Sequence, residues 1–492
     1  MSGEHLLALD LGTTRVRALV VAPDGVPRGR AYRPLRARYP AAGRVEQDPA
    51  EMWARSVEVL AEALDAAGLT ARDVAAIGVA SQRATALAWD RVTREPLAPA
   101  IGWQDRRTER RAQELAARGV PINALASATK FEWWLRSDAN VQAARARGAL
   151  CLGTPDAWLG FKLTGGSAFV TDPGQASCTG LFFGAQRTWD SRALELFGLD
   201  ASLLPRVTAT SAVEGETGSD LLGAPIAVAA RAGDQQAAAF AQGVHRAGEA
   251  KLTLGTAAML DLHTGAQPAP PVGGAWPLPL WRLADGAEAF ALEATVITAG
   301  AVVEWLVELG LLSEPAALDR VAGQVASSEG VAFVPALQGL GAPYLDGAAR
   351  GLLGGLTRGS LAAHVVRAAL EGIAQRCVDV CEALDLADAP LKVDGGLARS
   401  DLLLQRLADL AGLEVLRAAE TETTALGAAF LAGLASGVFP SPETCRRRAP
   451  APERFEPSWD PQRRAPERAR WKRIVARARA DAEGRAASAP AD

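Results

Sequence analysis

Leu6-Leu7-Ala8-Leu9-Asp10-Leu11-Gly12-Thr13-Thr14-Arg15-Val16-Arg17-Ala18-Leu19-Val20-Val21 lies near the start of the chain. Residues 6–10 read as a strand ending in an acid, residues 11–14 as a tight turn, and residues 15–21 as a second strand, so the stretch is a β-hairpin. A related pattern returns mid-chain: Lys251-Leu252-Thr253-Leu254, Gly255-Thr256-Ala257-Ala258, then a strand over 259–263. Two strand–Gly-Thr–strand units predict two domains of similar plan. Between and after them, short apolar strands over 74–79, 225–230 and 391–394 alternate with helical spacing over 50–67, 299–312, 362–384 and 401–411. Strands interleaved with helices make this an α/β protein.

The 492 residues exceed what one core sustains, which also favours several domains. The expected division is 1–243, 244–439 and a Pro/Arg-rich tail over 440–492, with a hinge near 242–248. In the tail, residues 468–480 read as a basic amphipathic helix, either packed back on the body or free to meet RNA. The formal net charge of −4 argues against nucleic acid as main ligand. No targeting segment and no apolar run of bilayer length is visible, which predicts a cytoplasmic protein without membrane insertion. Five scattered cysteines and four histidines without metal spacing read as buried thiols and structural imidazoles.

Three short motifs carry candidate chemistry. In Asp10-Leu11-Gly12-Thr13-Thr14 with Arg17, glycine admits a phosphate to the backbone and the threonines add hydroxyl donors. The strand-end acid could hold Mg²⁺ through waters, and the arginine could neutralise a transferring phosphoryl group. Asp234, in Gly233-Asp234-Gln235-Gln236, stands where a strand gives way to a helix and could accept the proton of an attacking alcohol; a plain helix N-cap fits equally. Asp394-Gly395-Gly396 could let a phosphate or adenine lie on the backbone, or be an ordinary turn. No Walker-type loop and no protein-kinase signature set occurs.

With these motifs stand Ser81-Gln82-Arg83, Trp103-Gln104-Asp105-Arg106-Arg107-Thr108, Gly339-Leu340-Gly341-Ala342-Pro343-Tyr344 through Gly355-Leu356-Thr357-Arg358-Gly359, and Thr424-Ala425-Leu426-Gly427-Ala428-Ala429. In order and separation the series resembles the FGGY family of carbohydrate kinases, most closely its glycerol-phosphorylating branch, over roughly residues 5–437. The resemblance implies two ribonuclease-H-like (actin/hexokinase-like) domains flanking a catalytic cleft, with ATP and Mg²⁺ as cofactors. It implies Asp234 as general base and Asp10 as the magnesium-associated acid, with Thr13, Thr14 and Arg17 facing the transferring phosphate. Thr256, Gly300, Glu304, Gly396 and Ser400 fall where the family contacts ATP, although Glu304 and Ser400 replace its usual amides. Arg83, Trp103, Asp234 and Gln235 fall where it holds a small polyol.

The pocket departs from that branch at Ala84, Leu125 and Met259, which remove an acid and two aromatic walls. Glycerol, giving glycerol 3-phosphate, is the leading expected substrate, and another polyol or a ketose such as xylulose the alternative. A catalytically idle sugar or nucleotide sensor would have no need of Asp10, Arg17 and Asp234 together. An actin- or Hsp70-like ATPase would have no need of Arg83, Trp103 and Gln235. A homodimer or homotetramer stays open.

Overall fold

A computed structural model describes residues 3–120, 122–183, 187–386 and 389–488. In the first half, strands β1 (His5–Leu11), β2 (Arg15–Val21) and β3 (Pro27–Pro34) precede helix α1 (Pro49–Ala67) and strand β4 (Val74–Ser81). After an insertion containing α2 (Ser127–Ser137) come strand β5 (Ala227–Gly233) and helix α3 (Asp234–Ala241). The second half contains β6 (Ala250–Leu254), β7 (Ala258–Gly265), β8 (Trp276–Arg282), β9 (Glu288–Val296), α4 (Gly300–Glu308) and α5 (Ala362–Ala383). It continues with β10 (Leu391–Asp394), α6 (Asp401–Ala411), β11 (Val415–Arg417), α7 (Thr423–Ser436), β12 (Glu453–Phe455) and α8 (Pro461–Ser488).

The two hairpins seed two sheets of one plan. The first sheet runs β5-β4-β1-β2-β3, with β1–β2 and β2–β3 antiparallel and β1–β4 and β4–β5 parallel. The second repeats this as β11-β10-β6-β7-β9 with the same pairing senses, adding β8 and β12 at its edges. Both are the mixed α/β sheets that the hairpin repeat leads one to expect.

Local chemistry sets the element ends. Asp48 caps α1 by accepting from Ala50 N–H, Pro49 occupies the first turn, and Gly68 closes the helix at φ 67°. Met52, Ser56, Val59, Leu60 and Ala63 then fall on one buried face. Two expected strands shift: β4 runs on to Ser81 because Ala80 and Ser81 pair with Asp10 and Leu11, and β5 starts at Ala227 and reaches Gly233, which pairs with Ser81. Asp10, Arg83 and Asp234 therefore leave the same carboxyl edge of one sheet.

The halves share a core built from small residues. Helix α7 is buried nearly all round, its Ala425, Ala428, Ala429 and Ala432 clustering with Ala76 and Ala80 of β4, Ala237 and Phe240 of α3, and Trp281 of β8. A Cβ placed on Gly427 would lie 1.8 Å from the Ala237 carbonyl oxygen, and one on Gly78 2.0 Å from that of Ala428. No larger residue fits without moving a helix.

Residues 453–478 are built into the second half. β12 pairs with β11, and Trp471, Val475 and Ala478 of α8 pack with Val334 and Leu340. Asp379 of α5 accepts from Arg376 (2.7 Å), Arg468 (2.7 Å) and the Trp471 indole (3.0 Å). The basic helix starts earlier than its pattern suggested because Asp460 accepts from Arg463 N–H at 2.8 Å, and it packs back on the body. No helix among the described residues is long and apolar enough to cross a membrane.

Candidate active site

Asp10 and Arg17 are direct register partners across the first hairpin, and Arg17 Nη1 donates to Asp10 Oδ2 at 3.0 Å. Arg17 Nε lies 2.9 Å from Glu422, at the start of α7. Asp10 is only 2% exposed, and burial pushes its carboxyl up to about 7; Arg17 pulls it down, while the Asp234 and Glu422 charges push it further up. Its Oδ1 is buried without a hydrogen-bond partner.

The hairpin tip is braced by Trp103 and Gln47. The Trp103 indole N–H donates to Thr13 Oγ1 at 3.0 Å, and Gln47 donates to the Thr13 carbonyl at 2.7 Å. Gln82 in turn donates to Gln47 (2.8 Å), and its own N–H reaches the Leu11 carbonyl (2.8 Å). Thr14 stays exposed. The hairpin tip, Gln47, Gln82 and Trp103 are thus joined in one hydrogen-bonded network.

Asp234 is the first residue of α3, and the N-cap is Gly233. This corrects the simple capping reading: the carboxylate accepts from Gln235 N–H at 2.8 Å and faces Arg83 Nε at 3.4 Å. Burial raises its pKa, Arg83 lowers it, and the net shift is upward. An acid moved toward neutrality is a better proton acceptor for an alcohol than an ordinary carboxylate. A Cβ at Gly233 would lie 2.3 Å from Gln236 Oε1 and 2.8 Å from Arg83 Cδ, so a larger residue here would displace both side chains.

Ala84 sits at φ 60°, and its carbonyl accepts from Ser127 (3.1 Å) and Lys130 (3.0 Å) of α2. Lys130 also donates to the Leu125 carbonyl at 2.9 Å, and burial lowers its pKa to about 7. This lysine therefore ties together the two segments that carry Ala84 and Leu125. Leu125 is 40% exposed and Met259 half-buried.

On the second sheet, the Gly255-Thr256 turn, Gly300 and Gly395 converge. Gly300 N–H donates to the Gly255 carbonyl at 2.9 Å, Ala299 N–H to that of Thr256 at 3.0 Å, and Gly395, at φ 94°, lies against Leu254. Thr256, Gly396 and Glu304 are exposed, with Glu304 one helical turn beyond Gly300 on α4. Ser400 is different: it is buried, caps α6 by accepting from Leu403 N–H at 3.0 Å, and bonds Asp319. Asp394 is also committed locally, accepting from Thr253 (2.6 Å), Gln242 (2.8 Å) and Thr423 (2.6 Å).

Sequence reasoning missed Gln47, Lys130, Glu422 and a buried row formed by Lys251, Asp261 and Glu293. The signal for the row was present, as one charged residue in each of three apolar strands: Ala250-Lys251-Leu252, Leu260-Asp261-Leu262 and Leu292-Glu293-Ala294.

Family models for the N-terminal and C-terminal domains of the FGGY family of carbohydrate kinases match residues 5–241 and 250–436. The chain belongs to that family. It is similar to the glycerol kinase of Aromatoleum aromaticum, 44% identical over 490 residues that cover 96% of this chain and 99% of the relative. Among solved structures, the glycerol kinase of Plasmodium falciparum with ADP superposes with a TM-score of 0.90 at 27% identity, covering 96% of this chain and 98% of its own. A xylulose kinase from Brucella ovis follows with a TM-score of 0.83 at 28% identity and the same coverage.

Proposed function

We propose that this FGGY kinase transfers the γ-phosphoryl group of ATP to a terminal hydroxyl of a small polyol, with glycerol as leading substrate and glycerol 3-phosphate as product. The observation that carries the reading is the meeting of Asp234 and Arg83 with the Asp10–Arg17 pair at one sheet edge. Arg83 and Gln235 bind the polyol hydroxyls, and Trp103 walls its carbon chain. Asp234 takes the proton of the attacking hydroxyl. That oxygen bonds to the γ-phosphorus as the bond to the β–γ bridging oxygen breaks, and ADP leaves with the electron pair. Arg17 exchanges Glu422 for the phosphoryl oxygens, beside the donors of Thr13 and Thr14.

The nucleotide extends over Thr256, Gly300 and Gly396, bordered by Glu304. Ser400 acts indirectly, by fixing the end of the Gly396 turn. The orphaned, buried Oδ1 of Asp10 fits an acceptor for metal-bound water. When bound, Mg²⁺ neutralises charge on the β- and γ-phosphates. The halves, 1–243 and 244–439, close about 242–248 to exclude water.

Ala84 and the exposed Leu125 favour a second reading in which a longer polyol or a ketose such as xylulose is also accepted. The test is polyol-dependent ADP release with Mg²⁺ and glycerol, erythritol, xylitol and xylulose. Turnover with glycerol supports the reading, and no turnover with any of them refutes it.

A further inference from the structure

Lys251 on β6, Asp261 on β7 and Glu293 on β9 form one row across the second sheet, for Asp261 is the register partner of both others. Lys251 and Asp261 are 0% and 1% exposed at the side chain and 3.1 Å apart. Both ends of the row reach the first half. Glu293 Oε2 lies 2.7 Å from Arg83 Nη2, and Lys251 Nζ donates to Gln235 Oε1 at 2.6 Å. Asp234 closes the ring, since its Oδ1 lies 3.4 Å from Arg83 Nε and accepts from Gln235 N–H at 2.8 Å.

Buried ion pairs are poor sources of stability, because desolvation consumes most of the Coulombic gain. What this ring fixes is orientation. A lysine can only donate, so Gln235 must turn its oxygen to Lys251 and leave its amide N–H₂ free to donate. Glu293 engages one Arg83 nitrogen and Asp234 another, while Nη1 is buried without a partner and is left for a substrate oxygen. Ala84 offers no carboxylate, so the acid that anchors Arg83 from outside the reacting group comes from the opposite sheet.

We propose that Glu293 and Lys251, linked through Asp261, are positioning residues that set Arg83 and Gln235 for the substrate hydroxyls and make the pocket depend on the register of the two halves. The inference rests on the cleft being a polyol kinase site. The experiment measures KM for ATP and for the best polyol, with kcat, in the full chain and in Glu293→Gln and Lys251→Met. The expected result is a polyol KM raised about fivefold or more relative to any change in the ATP KM. A general loosening of the fold would move both constants together. A smaller ratio in either folded variant overturns the proposal, as does failure of both variants to fold, which would make the row a support of the fold. A wild-type chain inert with every polyol and ketose instead refutes the kinase reading itself, before any variant is compared.

Discussion

Replacing Asp10 by asparagine should stabilise the ligand-free protein at alkaline pH while disabling it. The Asp10 carboxyl moves from an ordinary 3.8 to about 7, with burial the largest cause. In the unfolded chain the group is ionised throughout pH 5–8, whereas in the folded chain it holds its proton until about pH 7. The folded state thus binds more protons across this window, and stability falls as pH rises. At about 1.4 kcal/mol per pKa unit, going from pH 5 to pH 8 removes about 3 kcal/mol that Asp10→Asn retains. The attraction of Arg17 for the ionised carboxylate is already contained in this folded-state value. The assay is the thermal midpoint of both proteins without ligand at pH 5 and pH 8. The advantage of Asp10→Asn should grow by roughly 8 °C between the two, for a half of this size. Its turnover should fall by about 10²-fold or more. An equal midpoint difference at both pH values would refute the burial argument.

Ala84→Glu should shift kcat/KM toward glycerol and away from xylitol and xylulose; unchanged ratios would show that position 84 does not govern specificity. Asp379→Ala should cost about 3–5 kcal/mol in chemical unfolding, because it leaves the buried Arg376 guanidinium without a carboxylate and takes one of two from Arg468. A loss below about 1 kcal/mol would refute the claim that Asp379 anchors α8. Scattering dimensions should contract when polyol and a non-hydrolysable ATP analogue bind together, and identical profiles would count against closure about 242–248.

The hairpin repeat made the sheet plan legible, because glycine-threonine turns between alternating strands leave few alternatives. β10 and α6 were legible to the residue for a similar reason: the Asp394-Gly395-Gly396 turn ends the strand, and helical spacing resumes at Asp401. β8, β9 and β12 were not, since their pairing is set by distant strands and β8 carries two prolines at Pro277 and Pro279. At the site, motif residues on one sheet edge could be placed from strand ends alone. The role of Ser400 could not, because its hydroxyl is drawn to a helix terminus and to Asp319 from 81 positions away. The row of Lys251, Asp261 and Glu293 depends on cross-strand register and on the approach of the two halves, neither of which a linear pattern encodes.

The central claim is that Asp234 accepts the proton of a polyol hydroxyl as that oxygen takes the phosphoryl group. Phosphorus NMR of the reaction with ATP, Mg²⁺ and glycerol measures this most directly, run on the wild type and on Asp234→Asn. The wild type should form glycerol 3-phosphate and ADP in equal amounts. The variant should do so about 10²-fold more slowly or worse, while binding ATP with near-normal affinity. Wild-type rates of product formation in Asp234→Asn would contradict the account.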